Sequence, residues 1–426
     1  MAGFPRSPAF DDSIALLREG YGFISRRCDA LGSNAFATRL MLKPVICMRG
    51  AEAAGVFYQP GRFTRRGAMP NVTLRLLQDK GSVHQLDGEA HRQRKAMFLS
   101  LLQAGDQLRN MTELFREEWQ RALTCWEARG SICLFDEVSQ ILTRAVTIWV
   151  GLPEDPRNLR LCGDLRAMIE NSARVDPRVL LALLRRRRTE RYMTSLVYRT
   201  RSGALRPPEG SPLQVISAHR DADGALLPPA AAAVEIINLL RPVVAIGRYL
   251  TFTALALHEF PCWRAGFAAG DEASLESFVE EIRRITPFFP CVGGRVRQPF
   301  SWKGHSFAQG DWVLLDLYGT NLDPARFADP GHPDPSRAAS WREQGFDFIP
   351  QGGGYAAVTH RCPGEAMTVA LMKETVRLLT RQMSYGVPQQ DLTVDHSRIR
   401  ALPKSGFLMN RIRTKPQDPR AEESSS

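Results

Sequence analysis

The chain lacks a cysteine framework. Its eight cysteines, at positions 28, 47, 125, 133, 162, 262, 291 and 362, are dispersed, and no C-x-x-C pair occurs. That excludes a disulfide scaffold and points to a reducing, cytoplasmic compartment. The N-terminal stretch MAGFPRSPAFDDSIALLREGYGF lacks the positive-then-apolar order of a signal peptide, so no membrane anchor is expected. No internal repeat is found. The formal net charge is +11, yet the basic residues are scattered apart from Arg185–Arg188, and no aromatic-interleaved motif accompanies them. LLRRRRTER reads as a solvated helix face, and nucleic acid is not an expected partner.

What is present is ample apolar material, 44% of 426 residues, enough for one large core. Asp11, Asp12 and Ser13 open a capped amphipathic helix within residues 1–35. LMLKPVICM has strand character, and AEAAGVFY returns to helix. Apolar residues at helical spacing run through ELFREEWQRALTCW and VSQILTRAVTIWVGL, so residues 107–200 are expected to be mostly helical. SGALRPPEGSP is a surface loop. Pro228 and Pro229 open the longest helical stretch, and SLESFVEEIRRITP is a further helix. GRVRQPFSWKGHSFAQGDWVLLDLY alternates like a small antiparallel sheet, and LTVDHSRIRALPKSGFLMNRI like a terminal hairpin. The expectation is one mainly α domain over residues 1–413 with small antiparallel sheets, and a disordered tail over 414–426.

One segment carries chemistry on its face. In FDFIPQGGGYAAVTHRCPGE (346–365), three glycines precede Cys362, and a helical run follows Pro363 and Gly364. A helix N-terminus favours a thiolate over a thiol. The glycines would let the backbone lie flat against something large. A lone thiolate in this setting suits the axial ligand of a haem iron. The bland alternative is a buried free cysteine before an ordinary helix.

The stretch 228–257 is apolar enough to raise a membrane span. Glu235, Asn238, Arg241 and Arg248 punctuate it, so a core helix is expected. Pro242 removes a helical hydrogen bond and predicts a kink. Arg241 stays charged, so burying it requires an anionic partner. Two readings stand side by side: an internal salt bridge, for which Glu235 is poorly spaced, or a bidentate site for a substrate carboxylate. Glu281 and Arg284 lie three apart on the next helix, ended by Pro287, and Arg337 closes the irregular stretch TNLDPARFADPGHPDPSR.

Glu281-x-x-Arg284, the N-x-D-P-x-x-F-x-x-P segment leading to Arg337, and Cys362-x-Gly364 stand in the order seen in cytochromes P-450, which the chain resembles over residues 230–413. The resemblance implies the triangular, helix-rich P-450 fold, haem b ligated by Cys362, and a structural triad of Glu281, Arg284 and Arg337. The chain departs from the general family in lacking the acid-Thr pair of the long helix, where Arg241-Pro242 stands instead, and in its lengthened cysteine loop. Both departures, with LRPVVAI, ALALHE, FIPQGGG, HRCPGE and LPKSGF, are similar to the hydrogen-peroxide-using fatty-acid peroxygenase branch. That branch implies a fatty acid and hydrogen peroxide as substrates and no obligatory redox partner. It also implies that the carboxylate on Arg241 serves as general acid–base, with hydroxylation α or β to it.

The resemblance also implies roles in LQDKGSVHQLDGEAHRQRKAMF (77–98). His84 would lie over the haem as a proton donor near neutral pH, with some decarboxylation to terminal alkenes. His91 and Lys95 would reach a haem propionate, with Arg65 and Arg66 as weaker candidates. Leu77, Gln78, Val83, Phe288 and Phe289 would line the pocket. A redox-partner-dependent monooxygenase, a lipid or haem carrier without turnover, and an isomerase or dehydratase of fatty hydroperoxides are the competing expectations.

Overall fold

The computed structural model describes residues 3–78, 81–174, 176–337 and 345–415. Its axis is the long apolar stretch. Pro229 occupies the first helical turn, where its missing N–H is no loss, and opens the helix Pro229–Ala245. Pro242 deprives the Asn238 carbonyl of its donor, and the run breaks four residues later rather than at Pro242 itself. There the Ile246 N–H is shared between the carbonyls of Pro242 (3.2 Å) and Val243 (3.1 Å), and Gly247–Glu259 resumes the helix. The combined run Pro229–Glu259 is long and apolar enough to cross a membrane, but 78% of its apolar window is buried inside the fold. It is a core helix, packed on Leu134–Val150, Leu161–Glu170 and Arg178–Arg201. Ile236, Ile237, Leu239 and Leu240 are at most 1% exposed, and burying each such side chain contributes about 1.5–3 kcal/mol.

The strands are β1 (Ala35–Leu40), β2 (Lys43–Met48), β3 (Phe63–Thr64), β4 (Ser131–Cys133), β5 (Cys291–Val296), β6 (Phe300–Trp302), β7 (His305–Phe307), β8 (Trp312–Asp316), β9 (Met383–Gly386) and β10 (Leu408–Thr414). The largest sheet has the order β1-β2-β8-β5-β3. It is not wholly antiparallel: β2 runs parallel to β8, with Ile46 opposite Val313. A parallel pairing joins segments far apart in sequence, so no local pattern announces it.

Further expectations change. The stretch 1–35 is two helices, Ser13–Glu19 and Phe23–Ala30, because Gly20 adopts a positive φ of 53° against the His396 carbonyl. Asp12 does not cap through its side chain; it accepts from Arg27 (3.0 Å) and Thr38 (2.6 Å). The terminal hairpin is not formed: 391–412 holds one isolated bridge, Val394 to Pro403, and β10 pairs instead with β9 and β4. The first residues of the expected tail are ordered, since β10 reaches Thr414 and the Lys415 N–H donates to the Gln382 carbonyl at 2.9 Å. The rest of that tail, 416–426, lies outside the described residues. In the arginine run, Arg186 is buried against Glu190 and the Met168 sulfur while Arg187 and Arg188 face solvent.

Candidate functional site

Cys362 stands just before the helix Glu365–Arg377, whose N-cap is Gly364. Its N–H donates to the Gln351 carbonyl at 2.9 Å, closing the loop. The loop glycines answer to the protein itself. Gly352 and Gly354 have φ of 97° and 79°, and a Cβ on Gly353 would meet Phe346, Ile349 and Tyr58 at 2.8–3.0 Å. The expected preference for thiolate is also modified. Burial pushes the Cys362 thiol above its usual range, against the opposing pull of the Gly364 N–H and Lys95. In this buried setting the helix N-terminus is outweighed, and a thiolate needs a cation at the sulfur.

A ladder of ion pairs holds this loop on the helix Leu275–Ile285. Arg284 grips Glu281 through two bonds of 2.9 Å, and Arg337 adds a third at 3.1 Å to the same carboxylate. Arg284 also donates to the carbonyls of Asn321 (3.0 Å) and Pro330 (2.7 Å). One residue along, Arg283 bridges Glu280, Glu365 and the Gln351 side chain, while Arg361 closes on Glu365 at 2.6 Å. The Arg283 set was missed in the sequence. The doubled EE-x-RR register, which repeats the same i, i+3 pairing, was the available signal.

The helix Gly88–Leu102 faces the loop. Its N-cap residue, Asp87, accepts from the Thr64 hydroxyl at 2.8 Å instead of capping. Lys95 donates to the carbonyls of Arg361 and Thr359, and burial brings its pKa down to about 8. The His91 and His360 rings lie 4.2 Å apart. Arg65 joins them, with its guanidinium 4.5 Å over Phe57 and a 2.7 Å bond to the Gly293 carbonyl. Arg66 is not brought here; it is exposed, bonded to the Gln85 carbonyl at 2.9 Å and beside Asp87.

His84, His91 and His360 are each held below the usual histidine range, first by burial and then by Arg241, Lys95 or Arg65 and by one another. Among the described residues, His84 Nδ1 and His91 Nε2 are buried with no hydrogen-bond partner. Crowded cations and orphaned imidazole nitrogens around a single thiol fit a large apolar ligand that carries carboxylates and a thiol-seeking metal. Haem b has that chemistry.

On the long helix, Arg241 donates to the carbonyls of Leu76 (3.1 Å) and Leu77 and to Asn238 Oδ1 (2.9 Å). Asn238 in turn donates to Glu235 at 2.9 Å. Glu235, wholly buried, accepts from the Val83 N–H (2.8 Å) and pairs with Arg94 (3.0 Å), which also pairs with Asp221. Burial raises the Glu235 carboxyl, and Asn238 and Arg94 oppose it. Glu235 is linked to Arg241 through Asn238. His84 sits beside this brace with a pKa lowered to about 3 by burial and then Arg241. The expectation of a histidine protonated near neutral pH is corrected: His84 is neutral, with one ring N–H to donate.

Val83 and Leu77 are buried, and the Gln78 side chain lies outside the described residues. Phe288 stacks on Tyr249 at 4.5 Å and borders the same core as Val83, whereas Phe289 packs with the second core, under Arg400 at 4.4 Å. Arg400 was not anticipated. It is buried and donates to the carbonyl of Phe288 and to Ser172.

No family model matches the chain. Curated relatives match locally: protopanaxadiol 6-hydroxylase of Panax ginseng is 34% identical over 88 residues, 20% of this chain and 18% of that protein. The putative cytochrome P450 137 of Mycobacterium tuberculosis is 23% identical over 154 residues, 36% and 31% of the two chains. The chain therefore matches less than a third of the length of these curated relatives. Solved structures match along their whole length. Cytochrome P450SP alpha superposes with a TM-score of 0.92 at 43% identity, over 95% of this chain and 100% of that one. Cytochrome P450EX alpha, solved with myristic acid, gives 0.93 at 38% identity over 97% and 100%. Cytochrome P450 OleT, solved with arachidonic acid, gives 0.93 at 30% identity over 98% and 100%. A helical fold with a cysteine loop on an Arg/Glu frame defines a haem-thiolate enzyme of the cytochrome P450 class. The chain belongs to the cytochrome P450 superfamily, in its fatty-acid peroxygenase branch.

Proposed function

We propose that this enzyme uses hydrogen peroxide to hydroxylate a medium- or long-chain fatty acid at the carbon α or β to its carboxylate, with some oxidative decarboxylation to a terminal alkene. R–H and H₂O₂ give R–OH and water, so no external electron donor enters the balance. Haem b, when bound through Cys362, supplies the iron at which peroxide is cleaved and its oxygen delivered. Arg65, His91 and Lys95 would hold its carboxylates.

The observation that carries the reading is Arg241, a buried guanidinium fixed by Asn238 and by the carbonyls of Leu76 and Leu77. A carboxylate entering there meets a preorganised cation, and the chain of the acid is oriented by that one anchor. The bound carboxylate then serves as the proton carrier that the missing acid-Thr pair would otherwise provide. Neutral His84 offers its ring N–H close by, and Glu235, already committed to Arg94 and Asn238, holds the neighbouring Val83 N–H. The test is product analysis of the haem-loaded enzyme with myristic or palmitic acid, comparing hydrogen peroxide with NADPH plus a reductase. Hydroxy acids and alkene from peroxide alone support the reading; turnover only with the reductase contradicts it.

A further inference from the structure

The turn between β1 and β2 breaks a sequence rule. Met41 and Leu42 are its two central residues, with φ of 54° and 62°, between Leu40 and Lys43, which pair across the hairpin. Such a two-residue turn calls for Asn-Gly or another pair that tolerates the left-handed region. Large side chains there are strained, and strain of this kind persists where the surroundings enforce it. Here they do: the Met41 N–H donates to Ser13 Oγ at 2.6 Å and the Leu42 N–H to Asp11 Oδ2 at 2.7 Å. The tip is thereby tied to the start of the helix Ser13–Glu19 with both side chains outward, 51% and 70% exposed.

That helix shows the same inversion. Ala15 and Leu16 face the small core behind it, while Ile14 and Leu17 face solvent at 64% and 51%, and Phe10 just before them at 72%. The turn and the helix start, tied to each other, thus present a set of apolar side chains left exposed among the described residues. Its rim is basic. Arg18, Arg39 and Lys43 are exposed, with the Arg39 guanidinium 4.8 Å over the Phe10 ring. The acids nearest to it are engaged: Asp12 and Glu19 both pair with Arg27 at 3.0 Å, and Asp11 holds the turn. Aliphatic tips inside a cationic rim are complementary to an anionic lipid bilayer, which takes apolar side chains below the headgroups and attracts Lys and Arg to them. We infer that the patch formed by Phe10, Ile14, Leu17, Met41 and Leu42 docks the enzyme peripherally on an anionic lipid surface. The inference rests on no part of the catalytic reading and stands or falls apart from it.

The experiment is flotation of the haem-loaded enzyme with vesicles of phosphatidylcholine, with and without phosphatidylglycerol. Binding should be stronger with phosphatidylglycerol and fall as salt is added. The double change Met41→Asn/Leu42→Gly installs the preferred turn pair, so the thermal midpoint should hold or rise. Vesicle binding should nonetheless fall by roughly tenfold or more, with turnover of a dissolved acid unchanged. Ile14→Ser/Leu17→Ser should lose binding to a similar degree and keeps the test alive if the turn variant folds poorly. Wild-type protein that ignores the phosphatidylglycerol vesicles, or variants that bind them equally well, would overturn the inference. A concentration-dependent dimer in sedimentation velocity that the turn variant abolishes would assign the patch to a second copy and overturn it too.

Discussion

The two walls of the site are built differently. The proximal wall starts from a local frame: Glu281 with Arg284, Glu280 with Arg283 and Arg361 with Glu365 are pairs three or four residues apart, which Arg283 and Arg337 then join over longer spans. The distal wall is a long-range brace. Arg94 meets Glu235 across 141 residues, and Arg241 meets Leu76 across 165. On the proximal side each guanidinium meets at least one carboxylate directly. On the distal side the hydrogen bonds of Arg241 include two backbone carbonyls and a side-chain amide. These acceptors fix where the guanidinium points. One wall ties a loop to the helix beside it, and the other fixes the direction of a buried guanidinium.

Replacing the residue that both walls serve should have the largest effect. Cys362→Ala should abolish peroxide turnover and the thiolate-type spectrum of the carbon monoxide complex. Either one surviving would detach the proximal wall from its assigned purpose. Next, Arg284→Ala leaves Glu281 buried and short of its bidentate partner, and should cost about 3–5 kcal/mol in denaturation. On the distal side, Glu235→Gln should cost less, about 1–3 kcal/mol, because Arg94 keeps Asp221. Equal losses from the two would erase the contrast between frame and brace.

A pH measurement sharpens the same comparison. His84 has a folded pKa of about 3, below the roughly 6.5 of an unfolded histidine. Between those values the unfolded chain binds the extra proton, so His84 favours folding above about pH 6.5 and that advantage is lost as pH falls toward 3. In the haem-free chain the thermal midpoint should decline over that window, and His84→Gln should flatten the decline. An unchanged slope would mean the imidazole is not buried beside Arg241. The smallest effect is expected at Arg66, whose exposed side chain binds Gln85 and Asp87. Arg66→Ala should leave haem retention unaltered, whereas Arg65→Ala should weaken it.

What was legible in the sequence follows the same division. Cys362 before a helix, the Glu281/Arg284 spacing and the Pro-flanked long helix are short-range signals, and each is found where it was expected. In the Arg94–Glu235–Asn238–Arg241 chain the last three members stand three residues apart on one helix, a spacing the sequence displays, but Arg94 joins them only by the packing of the helix Gly88–Leu102 against Pro229–Ala245. The same reason hid the parallel β2–β8 pairing and sent β10 to β9 and β4 rather than into a hairpin. The neutrality of His84 was missed because a pKa follows burial and nearby charge, neither of which composition reveals.

The central claim is that Arg241 holds the carboxylate of the acid and so orients it for oxidation. The most direct measurement compares wild type with Arg241→Ala, both haem-loaded and with matching carbon monoxide spectra, in peroxide-driven turnover of myristic acid. The account predicts a loss of roughly a hundredfold or more, the cost of a misplaced reacting group, with cysteine ligation intact. Near-normal turnover by the variant would contradict it.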